Sequence, residues 1–390
     1  MITFSAVGMV NALGNSLDEI AANLQAGVAP GMGPDTDGWR QQGECWVGRV
    51  TGELPEIAPD MAQYNSRNNR LLLAALAQIR PQVNQAIATY GDSRVAVILG
   101  TSTSGLDEGD RMVSGSHAGN PPDAYRYGQQ ELGDPSRFLS DYLQLFGPAL
   151  TISTACSSSA RAIITGKRLI ESGIVDAAIV GGADTLSRMP VNGFASLESL
   201  SDVRCKPFSA ERDGITIGEA GVLILLTKEP GKVRLLGVGE SSDAWHMSAP
   251  HPEGAGAIRA IEMALREAQL EPHDIGYINM HGTATRLNDE IEAKVVNQLF
   301  GDSVPSSSTK HLTGHTLGAA GACEAALCYL LLSRNLPLPA QDFTDEHQDE
   351  SLAVCGLLIA PKPLIKPAIL SSSFAFGGNN ACLILGVSHD

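Results

Sequence analysis

Short apolar runs alternate with helical patterns along almost the whole chain. "RVAVILG" (94–100), "LTIST" (150–154), "DAAIVGG" (176–182) and "GVLILLT" (221–227) have the length and β-branched content of buried strands. "KVRLLGVG" (232–239), "IGYINM" (275–280), "KPAILSSS" (366–373) and "ACLILGV" (381–387) repeat the pattern later, and "MITFSAVGMVNALG" reads as an opening strand. Between them, apolar residues recur at helical spacing in "SLDEIAANLQAG" (16–27), "RNNRLLLAALAQI" (67–79), "SSSARAIITGKRLIESG" (157–173) and "AIRAIEMALREAQL" (257–270). Strands without a polar face, separated by amphipathic helices, predict α/β layers around a largely parallel sheet.

A breaker, Glu229-Pro230-Gly231, stands between two strands and divides the chain into residues 1–229 and 230–390. Each part ends in an apolar strand preceded by glycines, "GEAGVLILL" and then "GGNNACLIL". This points to an internal duplication, with chance similarity of two short strings as the alternative.

Composition narrows the function. At 390 residues the chain is long for a single core, which suits a duplicated domain or two domains. Lys and Arg number 27 against 43 Asp and Glu, a net charge of −16, which argues against a nucleic-acid binder. The seven cysteines form no CxxC pair, as expected of thiols in a reducing compartment. The N-terminus lacks a basic region before its apolar run, and no apolar run approaches the ~20 residues of a membrane span. A cytoplasmic protein without a membrane span is the expectation.

One thiol stands apart. Cys156, in "TISTACSSSARA" (151–162), sits where a predicted strand gives way to a helix. Helix N-terminal amides there would lower its pKa and could stabilise an oxyanion, so a nucleophile is one reading and a buried small hydrophobe the other. His281 follows "IGYINM" directly, and His315 lies in the loop that opens a Gly/Ala-rich helix. Both fall where open α/β sheets place ligands, beyond the carboxyl ends of strands.

The motifs "TACSSS", "KPFSAERDGITIGEAGVLILL", "SSDAWHMSAP", "NMHGTATRLNDEIEA", "SSTKHLTGHTLGAAGACEA" and "SFAFGGNN" occur in the order found in β-ketoacyl-[acyl-carrier-protein] synthases. The chain resembles their elongating Cys-His-His branch, and its wording is similar to ketosynthases of aryl-polyene-type clusters. The resemblance implies a thiolase-like fold, two βαβαβαββ halves in a five-layered αβαβα arrangement. It implies that Cys156 carries the acyl chain as a thioester while His281 and His315 assist decarboxylation of a malonyl unit. Lys310 and Glu292 match the family's active-site lysine and its acidic partner, so a buried Lys310–Glu292 pair is expected. Phe376 matches a phenylalanine beside the nucleophile and Phe194 one that gates the acyl pocket; Thr283 and Thr285 match threonines that bind the phosphopantetheine arm.

The implied partners are an acyl carrier protein, which delivers that arm so that no tightly bound cofactor is required, and a second subunit. That subunit is either another copy of this chain or a chain-length factor. An exposed edge at "RVAVILG" would favour such a dimer. Because a carrier protein is acidic, docking calls for local positive charge, and Arg67, Arg70 and Lys206, with Arg204 and Arg286, are the candidates.

Departures from the family pattern fall on arm-binding positions: Ala249, Ala284, Arg286, Ala375 and Asn379. The alternatives are a thiolase acting on coenzyme A thioesters and the non-catalytic partner subunit. A thiolase needs a second catalytic cysteine where Phe376 stands, and the partner subunit lacks the nucleophile. A zinc site on Cys156, His281 and His315 is conceivable but leaves Lys310 and Phe376 unexplained, so no metal is expected.

Overall fold

The computed structural model describes residues 1–387. Ten strands form one sheet whose two halves repeat a single order. From the centre outward, the first half runs Ile2–Val10, Ala220–Thr227, Ala177–Asp184, Val95–Gly100 and Ala149–Ile152. The second runs Val233–Ser242, Asn379–Val387, Ala368–Phe374, Tyr277–Asn279 and Ser306–Ser307. In each, the first strand in the chain lies beside the fifth, followed by the fourth, second and third. In each, the fifth strand is antiparallel to its neighbours and the outer three are parallel. Ile2 and Thr3, opposite Leu235 and Arg234, join the halves. The same topology built twice is the duplicated thiolase-like fold.

The helices supply the remaining layers. Arg67–Tyr90 packs on the outer face of the first half, and Ala255–Ala268 on that of the second. Ser158–Glu171 and Ala320–Arg334 lie between the halves, touching each other and strands of both. Their approach requires Gly321, because a Cβ there would fall 2.6 Å from the Cβ of Ala160. The middle helix also corrects the reading of apolar runs. Residues 317–334 are long and apolar enough to cross a membrane, but 83% of that stretch is buried inside the protein. Its hydrophobicity all round reflects its contacts with strands of both halves of the sheet.

Two further expectations change. The helix predicted over 67–79 continues through Pro81 to Tyr90. Proline removes one hydrogen bond, but Val83 and Ala86 prolong the buried face beyond it, so packing outweighs the loss. The strand "RVAVILG" is not an edge: Val95–Gly100 pairs on both sides, and Ala149–Ile152 forms the border, with Leu150 48% exposed.

Candidate active site

The hydroxyls around Cys156 hold a turn. Ser158 Oγ accepts from the Thr154 N–H (2.9 Å) and donates to the Ala155 carbonyl (2.6 Å), while Ser157 Oγ donates to the Thr154 carbonyl (2.8 Å). Ala155 adopts φ +53°, a left-handed conformation that an L-residue takes only under constraint. The chain thereby reverses between the edge strand and the Ser158–Glu171 helix, and the thiol faces inward with 6% exposure.

His315 and His281 converge on that sulfur. His315 Nε2 lies 3.1 Å from Cys156 Sγ, and the two imidazole rings meet edge to face at 5.4 Å. The second nitrogen of each ring fixes its tautomer. Leu317 donates its backbone N–H to His315 Nδ1 at 3.1 Å, and Lys310 Nζ, which can only donate, lies 3.3 Å from His281 Nδ1. Both Nδ1 atoms therefore accept, and both Nε2 atoms carry hydrogen. Burial, reinforced by Lys310, holds both imidazoles well below the ordinary histidine pKa, so they stay neutral.

The thiol departs from expectation. Burial pushes Cys156 up to about 11, although Lys310 and the backbone N–H groups of Phe376 and of Cys156 itself act in the opposite direction. In an enclosed site, desolvation of the thiolate outweighs the nearby amides and the ammonium.

The Lys310–Glu292 pair is also corrected. Lys310 Nζ contacts both oxygens of Glu324, at 3.0 and 3.1 Å, with both side chains almost completely buried. Glu292 instead accepts the backbone N–H groups of His281 and Gly282, each at 2.7 Å, and so orients the histidine loop from beneath. Glu324 left a sequence signal: it is the one acid in the apolar helix Ala320–Arg334, and a buried carboxylate requires a partner. Asp184 left little. It is fully buried at the end of its strand and accepts from Thr101, Ser102, Thr103 and Ala319, tying the 101–103 loop to the turn that follows His315.

Above the triad lies a cavity of about 360 Å³ lined by Cys156, both histidines, Phe194, Phe376, Thr283, Thr285 and Arg286. The Phe194 and Phe376 rings are 5.5 Å apart at its wall, and the Thr283 and Thr285 hydroxyls are hydrogen-bonded at 2.9 Å. Gly377 and Gly378, both at positive φ, shape the loop that carries Phe376. The sequence-predicted core of the site is thus brought together.

The arginines at 67 and 70 are not free to meet a carrier protein. Arg67 forms a bidentate pair with Glu219, whose carboxylate is 2% exposed, and Arg70 binds the Leu54 and Pro55 carbonyls and Glu56. Arg204 pairs with Asp342, whereas Lys206 is half-buried near Glu346 and Arg286 is exposed at the cavity. Arg67→Ala is expected to lower unfolding free energy by about 2–3 kcal/mol in urea denaturation. That is below the ~3–5 typical of breaking a buried pair, because the Arg67 side chain is 37% exposed. A change within 0.5 kcal/mol would return Arg67 to the docking surface.

Comparison with known proteins agrees with this geometry. Residues 6–230 match the family description "Beta-ketoacyl synthase, N-terminal domain", and residues 233–344 match "Beta-ketoacyl synthase, C-terminal domain". The 3-oxoacyl-[acyl-carrier-protein] synthase 2 of Rhizobium meliloti is 39% identical over 62% of this chain and 61% of its own length. The chain thus spans under two thirds of that relative. The enzyme of the same name from Synechocystis is 29% identical over 98% of this chain and 97% of its own. Among solved structures, the ketosynthase ApeO, in complex with its chain length factor ApeC from Xenorhabdus doucetiae, is 64% identical. It covers 99% of this chain and 98% of its own, with a TM-score of 0.98.

Proposed function

Because the chain belongs to the beta-ketoacyl synthase family, we propose that it condenses a carrier-bound acyl chain with malonyl-carrier protein in a specialised pathway of the aryl-polyene type. The observation that carries this reading is the pair of Nε2–H donors held beside Cys156. Such donors suit a reaction that places negative charge on a thioester oxygen.

The steps follow from the groups present. The Cys156 sulfur attacks the acyl thioester, the carrier's thiol leaves with the proton, and the acyl group remains on the enzyme. When a malonyl thioester enters the cavity, its carbon–carboxylate bond breaks and carbon dioxide departs. The electron pair moves onto the thioester oxygen as an enolate, facing the two imidazole donors. The enolate carbon then attacks the acyl carbonyl on Cys156. The oxyanion formed there is served by the Cys156 and Phe376 backbone N–H groups, and its collapse breaks the carbon–sulfur bond to release the thiolate, which takes up one solvent proton as the product leaves. The walls of Phe194 and Phe376 keep water from protonating the enolate. Thr283 and Thr285 hold the arm, which no resident cofactor needs to assist.

The partner is read from the 64% identical relative, a ketosynthase solved with its chain length factor. We assign the same kind of heterodimer to this chain, with the Ala149–Ile152 edge as a contact and the cytoplasm as its compartment. Incubation with acyl-carrier and malonyl-carrier proteins, with and without a chain length factor, tests the reading. The expected products are a 3-oxoacyl-carrier two carbons longer, by mass spectrometry, and one carbon dioxide per turnover. Free acid in place of that product would make the protein a thioesterase.

A further inference from the structure

Cysteine and two histidines within reach of one point offer three donors of the kinds that bind zinc. Here the three candidate ligand atoms, on Cys156, His281 and His315, lie within 4.8 Å of one another and are buried. A metal held there would engage the Cys156 sulfur, the atom that the proposed function uses as nucleophile.

The surroundings of the rings are the reverse of those that build a metal site. A histidine that binds metal through one nitrogen donates its other N–H to a carboxylate or carbonyl, which leaves a lone pair facing the ion. In this protein the group behind each ring is a donor. The Leu317 N–H points at His315 Nδ1 (3.1 Å), and the Lys310 ammonium lies against His281 Nδ1 (3.3 Å). Each lone pair therefore faces away from the cavity, and each N–H faces into it.

Both donors are held firmly. Lys310 is pinned by Glu324 and by the His281 carbonyl (2.6 Å). Leu317 sits at φ +55° in a turn whose Ala319 N–H is bound by buried Asp184 (3.2 Å). Ligation would require both tautomers to invert against fixed donors, beside a fixed positive charge.

We infer that Lys310 and the Leu317 N–H exclude soft divalent metal ions from the Cys156–His281–His315 triad by holding both imidazoles as Nε2–H donors. Lys310 is in this sense a specificity-determining residue: it keeps the thiol available for acyl groups. The exclusion of metal rests on the donor geometry and its purpose on the proposed function; metal binding is measured without turnover.

The test is a zinc titration of the whole protein against a chromophoric chelator. Lys310→Met alone would leave Glu324 buried and unpaired, so the variant is Lys310→Met/Glu324→Gln, which removes both charges. The Leu317 N–H still holds His315 in that variant, so the gain comes through Cys156 and His281: affinity for zinc is expected to rise about 10-fold, the lower end of the range by which partners behind a ligand tune metal sites, and to fall back when Cys156→Ser is added. The wild type should bind zinc no better than its own Cys156→Ser variant. Two results overturn the inference: wild-type binding of one zinc that Cys156→Ser abolishes, or a folded double variant that gains nothing. Should the double variant not fold, ¹⁵N NMR of the wild type decides. Protonation at Nε2 of both His281 and His315 is expected, and an Nδ1–H on either ring overturns the inference.

Discussion

Cys156→Ala should form no acyl-enzyme at all, while Cys156→Gln should still release carbon dioxide from malonyl-carrier protein. Among the described residues, the sulfur is the one thiol that lines the cavity beside the histidines. Cys205 and Cys323 are buried nearby, but their sulfurs contact the Lys310 carbonyl (3.4 Å) and the Asn11 amide (3.4 Å). Neither thiol lines the cavity, so neither is a ready substitute. Glutamine at 156 mimics the acylated side chain in size and polarity, and it leaves both Nε2–H donors free for a thioester oxygen. Intact-mass spectrometry after incubation with acyl-carrier protein, alongside a carbon dioxide assay, reads both halves. An acyl group on the alanine variant would show that another cysteine is the nucleophile.

The second large effect separates the two histidines. His281→Ala should lower decarboxylation by about 10²–10³-fold, the usual consequence of removing one oxyanion donor, and leave acylation of Cys156 nearly intact. His281 meets the His315 ring edge to face and also contacts Phe374 and Lys310. His315→Ala should lower decarboxylation to the same extent and slow acylation as well, because its Nε2–H is the group 3.1 Å from Sγ. Single-turnover acylation and carbon dioxide release, measured separately, distinguish the two. Equal loss in both half-reactions for His281→Ala would mean that it acts through the thiol and not on the enolate.

Much of this site was legible along the chain because its chemistry sits where local pattern is clearest. Cys156, His281 and His315 each fall at a strand end or a helix start, and the apolar runs on either side identify those junctions without a partner in view. The duplication showed itself in two glycine-led terminal strands, since a buried strand with a close neighbour must be spelled in small and apolar residues. The hydroxyls of "TACSSS" likewise have a local cause, the turn that they bind.

Tertiary structure alone decided what depends on distant neighbours. The family resemblance paired Lys310 with Glu292, but the fold carries the Ala320–Arg334 helix between the halves and puts Glu324 against the ammonium, leaving Glu292 to bind amides. Arg67 read as a surface charge because nothing nearby in the chain answers it, whereas its partner Glu219 lies 152 residues away. The thiol's pKa went the other way from the local expectation, because desolvation is a property of the enclosing fold and the helix amides a property of the segment. The histidine tautomers follow the same rule. A ring's residue type is written in the sequence, but the proton it carries is set by whatever donor the folded chain presses against its other nitrogen.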